Sequence, residues 1–91
     1  MAVTVLLPGV LRGDAGDQSR LVLDVHGSLA EVMAEVTARW PRLARRICDE
    51  QGVLRPFVNV YVDGEDVRRI SGFTTPVPDG AEIQIIPSVA G

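Results

Sequence analysis

Residues 28–41, SLAEVMAEVTARWP, carry the clearest structural signal in the chain. Ser28 followed three residues later by Glu31 is a capping box, in which each side chain satisfies a backbone N–H that a helix start leaves unpaired. Leu29, Val32, Met33, Val36 and Trp40 then recur at i, i+3, i+4, i+7 and i+11, one apolar stripe at helical period. Pro41 disfavours helical geometry at the residue before it, so the helix stops at Trp40. Pro41 can itself open a short second helical segment, residues 41–50, with Leu43, Ala44 and Ile47 inward.

Strands flank this helix on both sides. Residues 2–7 (AVTVLL) place Val3, Val5 and Leu7 on one face, and residues 20–26 (RLVLDVH) do the same with Leu21, Leu23 and Val25. The stretch between them, residues 9–19, is rich in glycine and polar residues and reads as the loop of an antiparallel hairpin. After Gly52, residues 57–62 (FVNVYV) alternate Val58, Val60 and Val62 with Phe57, Asn59 and Tyr61. Asp63-Gly64 is a hairpin-turn dipeptide. Residues 65–70 read as a short edge strand and residues 71–79 as an irregular crossing. Asp79-Gly80 turns the chain again into a last strand, residues 81–86, with Ile83 and Ile85 opposite Glu82 and Gln84. Pro87 ends it.

One amphipathic helix and five short strands bury their apolar faces only by packing the helix across one face of a sheet. The expectation is an α+β, ubiquitin-like β-grasp domain over residues 1–87: a mixed five-stranded sheet, one main helix and a short second helical segment. The last strand sits inside the sheet, and residues 88–91 form a flexible tail.

Composition narrows the function. The chain has 91 residues, 46% of them hydrophobic, enough for one cored domain. Its net charge of −3 argues against a nucleic-acid partner, which selects a basic footprint. No apolar run approaches a membrane span, and a soluble cytoplasmic protein is the expectation. All nine basic residues are arginine. A single cysteine, Cys48, excludes an internal disulfide and the roughly four thiolates of an iron–sulfur ferredoxin.

The usual catalytic sets are absent. His26 stands alone beside Gly27, with no paired Cys or Ser. Cys48 follows Arg45 and Arg46, which would lower its pKa if they were close; a packed helix cysteine is the simpler reading. Asp63, Glu65 and Asp66 cluster at a tight turn without EF-hand spacing and read as a solvated hairpin. Arg39, Arg42, Arg45 and Arg46 form a basic helical edge. Gly9, Gly13 and Gly16 lack the Gly-Lys-Ser/Thr ending of a phosphate loop. Attention therefore falls on the end of the chain. Ser88, Val89, Ala90 and Gly91 are small, so this tail can thread a narrow channel and present a carboxylate to another protein's active site.

Residues 77–91, VPDGAEIQIIPSVAG, resemble the C-terminal signature of MoaD-like carriers: a D-G-D-x-[VI] turn and strand, a proline, and a small-residue tail ending Gly-Gly. Here one glycine, Gly91, follows Ala90. Residues 55–68, RPFVNVYVDGEDVR, resemble the pattern R-F-V-N-[IV]-Y-V-x-x-E-D-V-R of the CysO-type branch, as do residues 3–8 and the loop after them. The resemblance, to the MoaD/ThiS superfamily of ubiquitin-like sulfur carriers, covers almost the whole chain. It implies that Gly91 is adenylated by an E1-like enzyme of the MoeB/ThiF type using ATP and then converted to a thiocarboxylate, with no cofactor bound to the carrier and no enzyme activity of its own. Pro87, Ser88, Val89 and Ala90 would line the partner's channel, and Phe57, Tyr61, Arg68 and Phe73 are candidates for a partner surface. The sulfur acceptor implied is an O-phosphoserine-dependent cysteine synthase, with a zinc metallopeptidase releasing cysteine; related carriers serve molybdopterin, thiazole or thiosugar synthesis. Two other functions share the fold: a modifier conjugated to target lysines, and an interaction module with an inert tail.

Overall fold

The computed structural model describes residues 2–87. Val3–Leu6 (β1) alternates buried Val3 and Val5 with half-buried Thr4 and Leu6, the period-two geometry of a pleated strand. The segment after it holds more structure than its composition suggests. Gly9–Arg12 makes one helical turn (α1) and Gly13–Ala15 a 3-10 turn. Leu11 and Ala15, four residues apart, are buried and pin these turns to the core. Two apolar positions in a polar segment are too few to show a period. Arg20–Leu23 (β2) pairs antiparallel with β1, Val3 opposite Leu23, and ends before residues 24–26.

Gly27–Ser28 (β3) leads into Leu29–Arg39 (α2) through the capping box. Ser28 Oγ accepts the Glu31 N–H at 3.3 Å, and Glu31 Oε2 accepts the Ser28 N–H at 3.3 Å. Gly27 sits at φ 126°, and a Cβ there would run into the Glu31 carboxylate, so the box needs a glycine before it. Leu29, Val32, Met33 and Val36 are buried. Trp40 (φ −134°) breaks the helix, and Pro41–Ile47 (α3) restarts it with Pro41 in its first turn and Leu43, Ala44 and Ile47 inward. The second helix is shorter than residues 41–50, because Cys48 turns extended and bridges Leu54.

Val58–Val62 (β4) buries its three valines. Asp63 (φ 49°) and Gly64 (φ 87°) form the tight turn to Glu65–Asp66 (β5), both central residues at the positive φ that a I′ hairpin requires. Only these two residues of the 65–70 stretch pair as a strand. Asp66 Oδ1 accepts the Arg68 N–H at 2.9 Å and starts a 3-10 turn, Val67–Arg69, which lifts the chain off the sheet. A second 3-10 turn, Gly72–Thr74, follows, then Pro76–Val77 (β6), which pairs with β3 in a small two-stranded sheet.

Glu82–Pro87 (β7) closes the main sheet. It runs parallel to β1 and antiparallel to β4, at the centre of the order β2-β1-β7-β4-β5. Ile83 and Ile85 meet the inward faces of α2 and α3 in one core cluster. A five-stranded mixed sheet holding a helix on one face is the β-grasp arrangement, and the last strand lies inside it, as that arrangement implies.

Candidate functional site: the exit of the last strand and the outer sheet face

The site is assembled by strand register. Because side chains alternate across a sheet, burying Leu21, Val5, Ile83 and Val62 inward forces their strand neighbours outward. Arg20, Leu6, Gln84, Tyr61 and Asp66 thus form one continuous cross-strand row on the outer face. Beside this row stand Val22 (60% exposed, opposite Thr4) and Ile86 (46% exposed, opposite Asn59). Ile86 leaves an apolar side chain unburied one residue before β7 ends at Pro87, whereas Val22 stands on the β2 edge level with Glu82, where β7 begins.

β7 leaves at Pro87, which lies opposite Val58. Phe57, immediately before Val58, is 43% exposed. Arg68 joins the same corner: Nη1 donates to Asn59 Oδ1 at 3.0 Å and Nη2 to the Arg55 carbonyl at 2.6 Å. The geometry therefore places Phe57, Arg68 and Pro87 at one corner, with Tyr61 further along β4 on the same face as Phe57, opposite Gln84. Phe73 lies elsewhere, half-buried in the 3-10 turn that packs against α2 on the helical side. Ser88, Val89, Ala90 and Gly91 fall outside the described residues. Leu6 and Ile86 also lie on this outward face, legible in the sequence as apolar residues on the outward parity of their strands.

The competing candidates resolve as structural features. Cys48 is buried, and burial raises its thiol pKa; the Asp49 charge adds to the rise, and Arg55 opposes it without prevailing. Arg45 and Arg46 do not activate it. Arg42 and Arg46 instead flank the Asp14 carboxylate at 3.8 and 3.6 Å, while Arg39 pairs with Glu35 and lies 4.5 Å from the Trp40 ring centroid. The Asp63 carboxylate accepts the Glu82 N–H at 2.9 Å, tying the β4–β5 turn to the start of β7. Among the described residues no three His, Cys, Asp or Glu side chains are grouped to hold a metal. His26 is exposed after β2. On the helical side, a groove of about 620 Å³ is lined by Met33, Thr37, Ala44, Cys48, Asp49 and Phe73, among others. Among the described residues no helix is long and apolar enough to cross a membrane.

Comparison with known proteins decides between a bare fold and a family. The model of the ThiS family matches residues 5–91, which includes β7 and everything after it. The chain belongs to the ThiS family. The sulfur carrier protein CysO of Mycobacterium tuberculosis is 38% identical to this ThiS-family chain, over all of it and 99% of CysO. CysO of Amycolatopsis orientalis, in a crystal structure titled as a BexX/CysO complex, superposes with a TM-score of 0.89 at 36% identity, covering 99% of both chains. The small archaeal modifier protein 1 of Methanosarcina acetivorans gives 0.83 at 30% identity, covering 99% of this chain and 95% of the modifier.

Proposed function

We propose that this ThiS-family chain is a sulfur carrier that acts through Gly91. The reading rests above all on the family match running to Gly91, beyond a central strand that leaves the sheet at Pro87 beside exposed Ile86.

The chemistry is acyl activation. A carboxylate is a poor electrophile, so an E1-like enzyme of the MoeB/ThiF type supplies ATP: the Gly91 carboxylate attacks the α-phosphate and pyrophosphate leaves. A sulfur nucleophile then attacks the acyl-adenylate carbonyl, AMP departs, and a thiocarboxylate remains. The carrier needs no resident cofactor for this. Its contribution is a narrow tail and a docking face, in which Leu6, Tyr61 and Ile86 are the natural anchors because they are apolar, outward and adjacent to the exit. The likeness to CysO favours a cysteine-forming synthase using O-phosphoserine as sulfur acceptor, with a zinc metallopeptidase freeing the product. The relative crystallised with BexX leaves thiosugar, thiazole or molybdopterin synthases as further acceptors of the same thiocarboxylate.

A second reading shares the activation step. The likeness to archaeal modifier proteins favours amide formation with target lysines in place of sulfur uptake. ATP–pyrophosphate exchange by an E1-like enzyme, with the carboxylate of this chain as adenylyl acceptor, tests activation itself. Exchange that depends on the chain supports both readings, and exchange unaffected by it rejects both.

A further inference from the structure

An activated carboxyl meets the nucleophiles of its own chain before any other, because tethered groups act at high effective concentration. Here no side chain offers a ready amine or thiol, and the α-amine lies beyond Ala2, whose carbonyl accepts the Gly80 N–H at 3.0 Å just before β7 begins. All nine cationic side chains are arginine, whose guanidinium stays protonated and does not attack acyl groups, whereas a lysine ammonium yields a free amine. The one thiol is buried in the core. Serine and threonine hydroxyls need a neighbouring base. His26 lies past the end of the sheet where Leu23 meets Val3, the end at which β7 begins. Pro87 is five residues further along β7, about 17 Å away.

Two arginines flank the exit. Arg68 bonds Asn59, which lies opposite Ile86. On the other side Arg12 Nε donates to the Leu7 carbonyl at 3.0 Å, and Leu7 shares a 150 Å³ crevice with Ile85 and Ile86. The four residues 88–91 have a contour of about 13–14 Å, enough to return to either position.

We infer that Arg12 and Arg68 are specificity-determining residues of acyl transfer, placing positive charge at the exit of β7 without a nucleophilic amine, so that only an acceptor from outside takes the activated carboxyl. This rests on the carrier reading above. A lysine at either position would attack the acyl-adenylate carbonyl through its neutral ε-amine. The C–N bond would form, the C–O bond to AMP would break with its electron pair leaving on AMP, and the amine proton would pass to water. The product is an internal lactam, lighter than the free chain by one water.

The experiment compares the unaltered chain with Arg68→Lys, Arg12→Lys and His26→Lys, each checked by thermal unfolding. Each is incubated with ATP and an E1-like activating enzyme, without a sulfur donor, with and without hydroxylamine, and read by intact mass. The expected result is a hydroxamate from all four chains. The lactam should form in Arg68→Lys and Arg12→Lys about tenfold or more above His26→Lys, and not in the unaltered chain. Hydroxamate without lactam in both exit variants overturns the inference while leaving activation intact. Equal lactam from His26→Lys, or self-acylation of the unaltered chain, overturns it as well. If no chain gives hydroxamate with an enzyme active on another carrier, the carrier reading fails and the inference falls with it.

Discussion

The two faces of this domain differ in what they enclose and in what they expose. The helical side holds the groove of about 620 Å³, the size at which a ligand site is ordinarily sought. Its one potential nucleophile, Cys48, is held protonated by burial, and Asp49 Oδ1 is occupied by the Gln51 and Val53 N–H groups at 2.9 and 3.0 Å. The outer sheet side carries a smaller opening of about 490 Å³ beside Tyr61 and Asp66 and a crevice of about 150 Å³ at the end of β7, and it exposes Ile86 one residue before that strand ends. In the carrier reading proposed above, the chain brings an end and a surface, and the enclosing cavity belongs to the enzyme that receives them.

The sharpest test of that contrast lengthens the tail. A tryptophan added after Gly91 should abolish adenylation, and an added glycine, extending the reach by about 3.3–3.6 Å, should raise it. Equal rates for all three chains, measured by pyrophosphate exchange, would remove the threading argument. Next comes the docking face. Ile86→Glu should weaken capture by the activating enzyme by about 2–3 kcal/mol, roughly 30–150-fold, while Ala34→Glu in the groove changes it less than about twofold. A larger loss from the groove variant would reverse the assignment of faces. Within the fold, Gly27→Ala should cost about 2 kcal/mol in chemical denaturation, more than the roughly 1 kcal/mol of Ser28→Ala, since it both strains a positive φ and displaces Glu31.

The smallest effect concerns Cys48. Cys48→Ala should leave sulfur transfer unchanged, and loss of transfer with an intact fold would return the thiol to the mechanism. Because its folded pKa lies above the ordinary value of 9.0, the thiol's contribution is complete below that pH and declines as pH rises toward the folded pKa. The unaltered chain should therefore lose stability faster than Cys48→Ala above about pH 9, as seen in paired thermal melts.

How much was legible followed from how the information is stored. The capping box, the apolar stripe of α2 and the alternation of β4 and β7 are local periodic signals, and each appears where the sequence places it. The turns at 9–15 depend on Leu11 and Ala15 meeting a core built from distant residues, so nothing local announces them. Residues 65–77 mix the two kinds of signal. Asp66 starts a 3-10 turn through its own backbone neighbourhood, and Pro76–Val77 finds β3 nearly fifty residues earlier. Of the residues expected at a partner surface, Phe57 and Tyr61 share the outward face of β4 by strand register and Arg68 bonds Asn59 between them, whereas Phe73 depends on how an irregular segment packs and lies on the helical side. Thr75, buried with its hydroxyl unpartnered among the described residues, gave no sign in the sequence. Thr75→Val should be neutral or stabilising by about 1 kcal/mol in the same denaturation assay.

The most direct test of the carrier reading is mass spectrometry after incubation with ATP, sulfide and an E1-like enzyme. Trypsin cleaves last after Arg69, so residues 70–91 form one peptide with neither methionine nor cysteine. Oxidation at sulfur therefore cannot imitate an oxygen-to-sulfur exchange in it. The account predicts that this peptide gains the sulfur–oxygen mass difference, and that the gain requires ATP. An unchanged peptide, with an enzyme that loads another carrier in the same mixture, would contradict it.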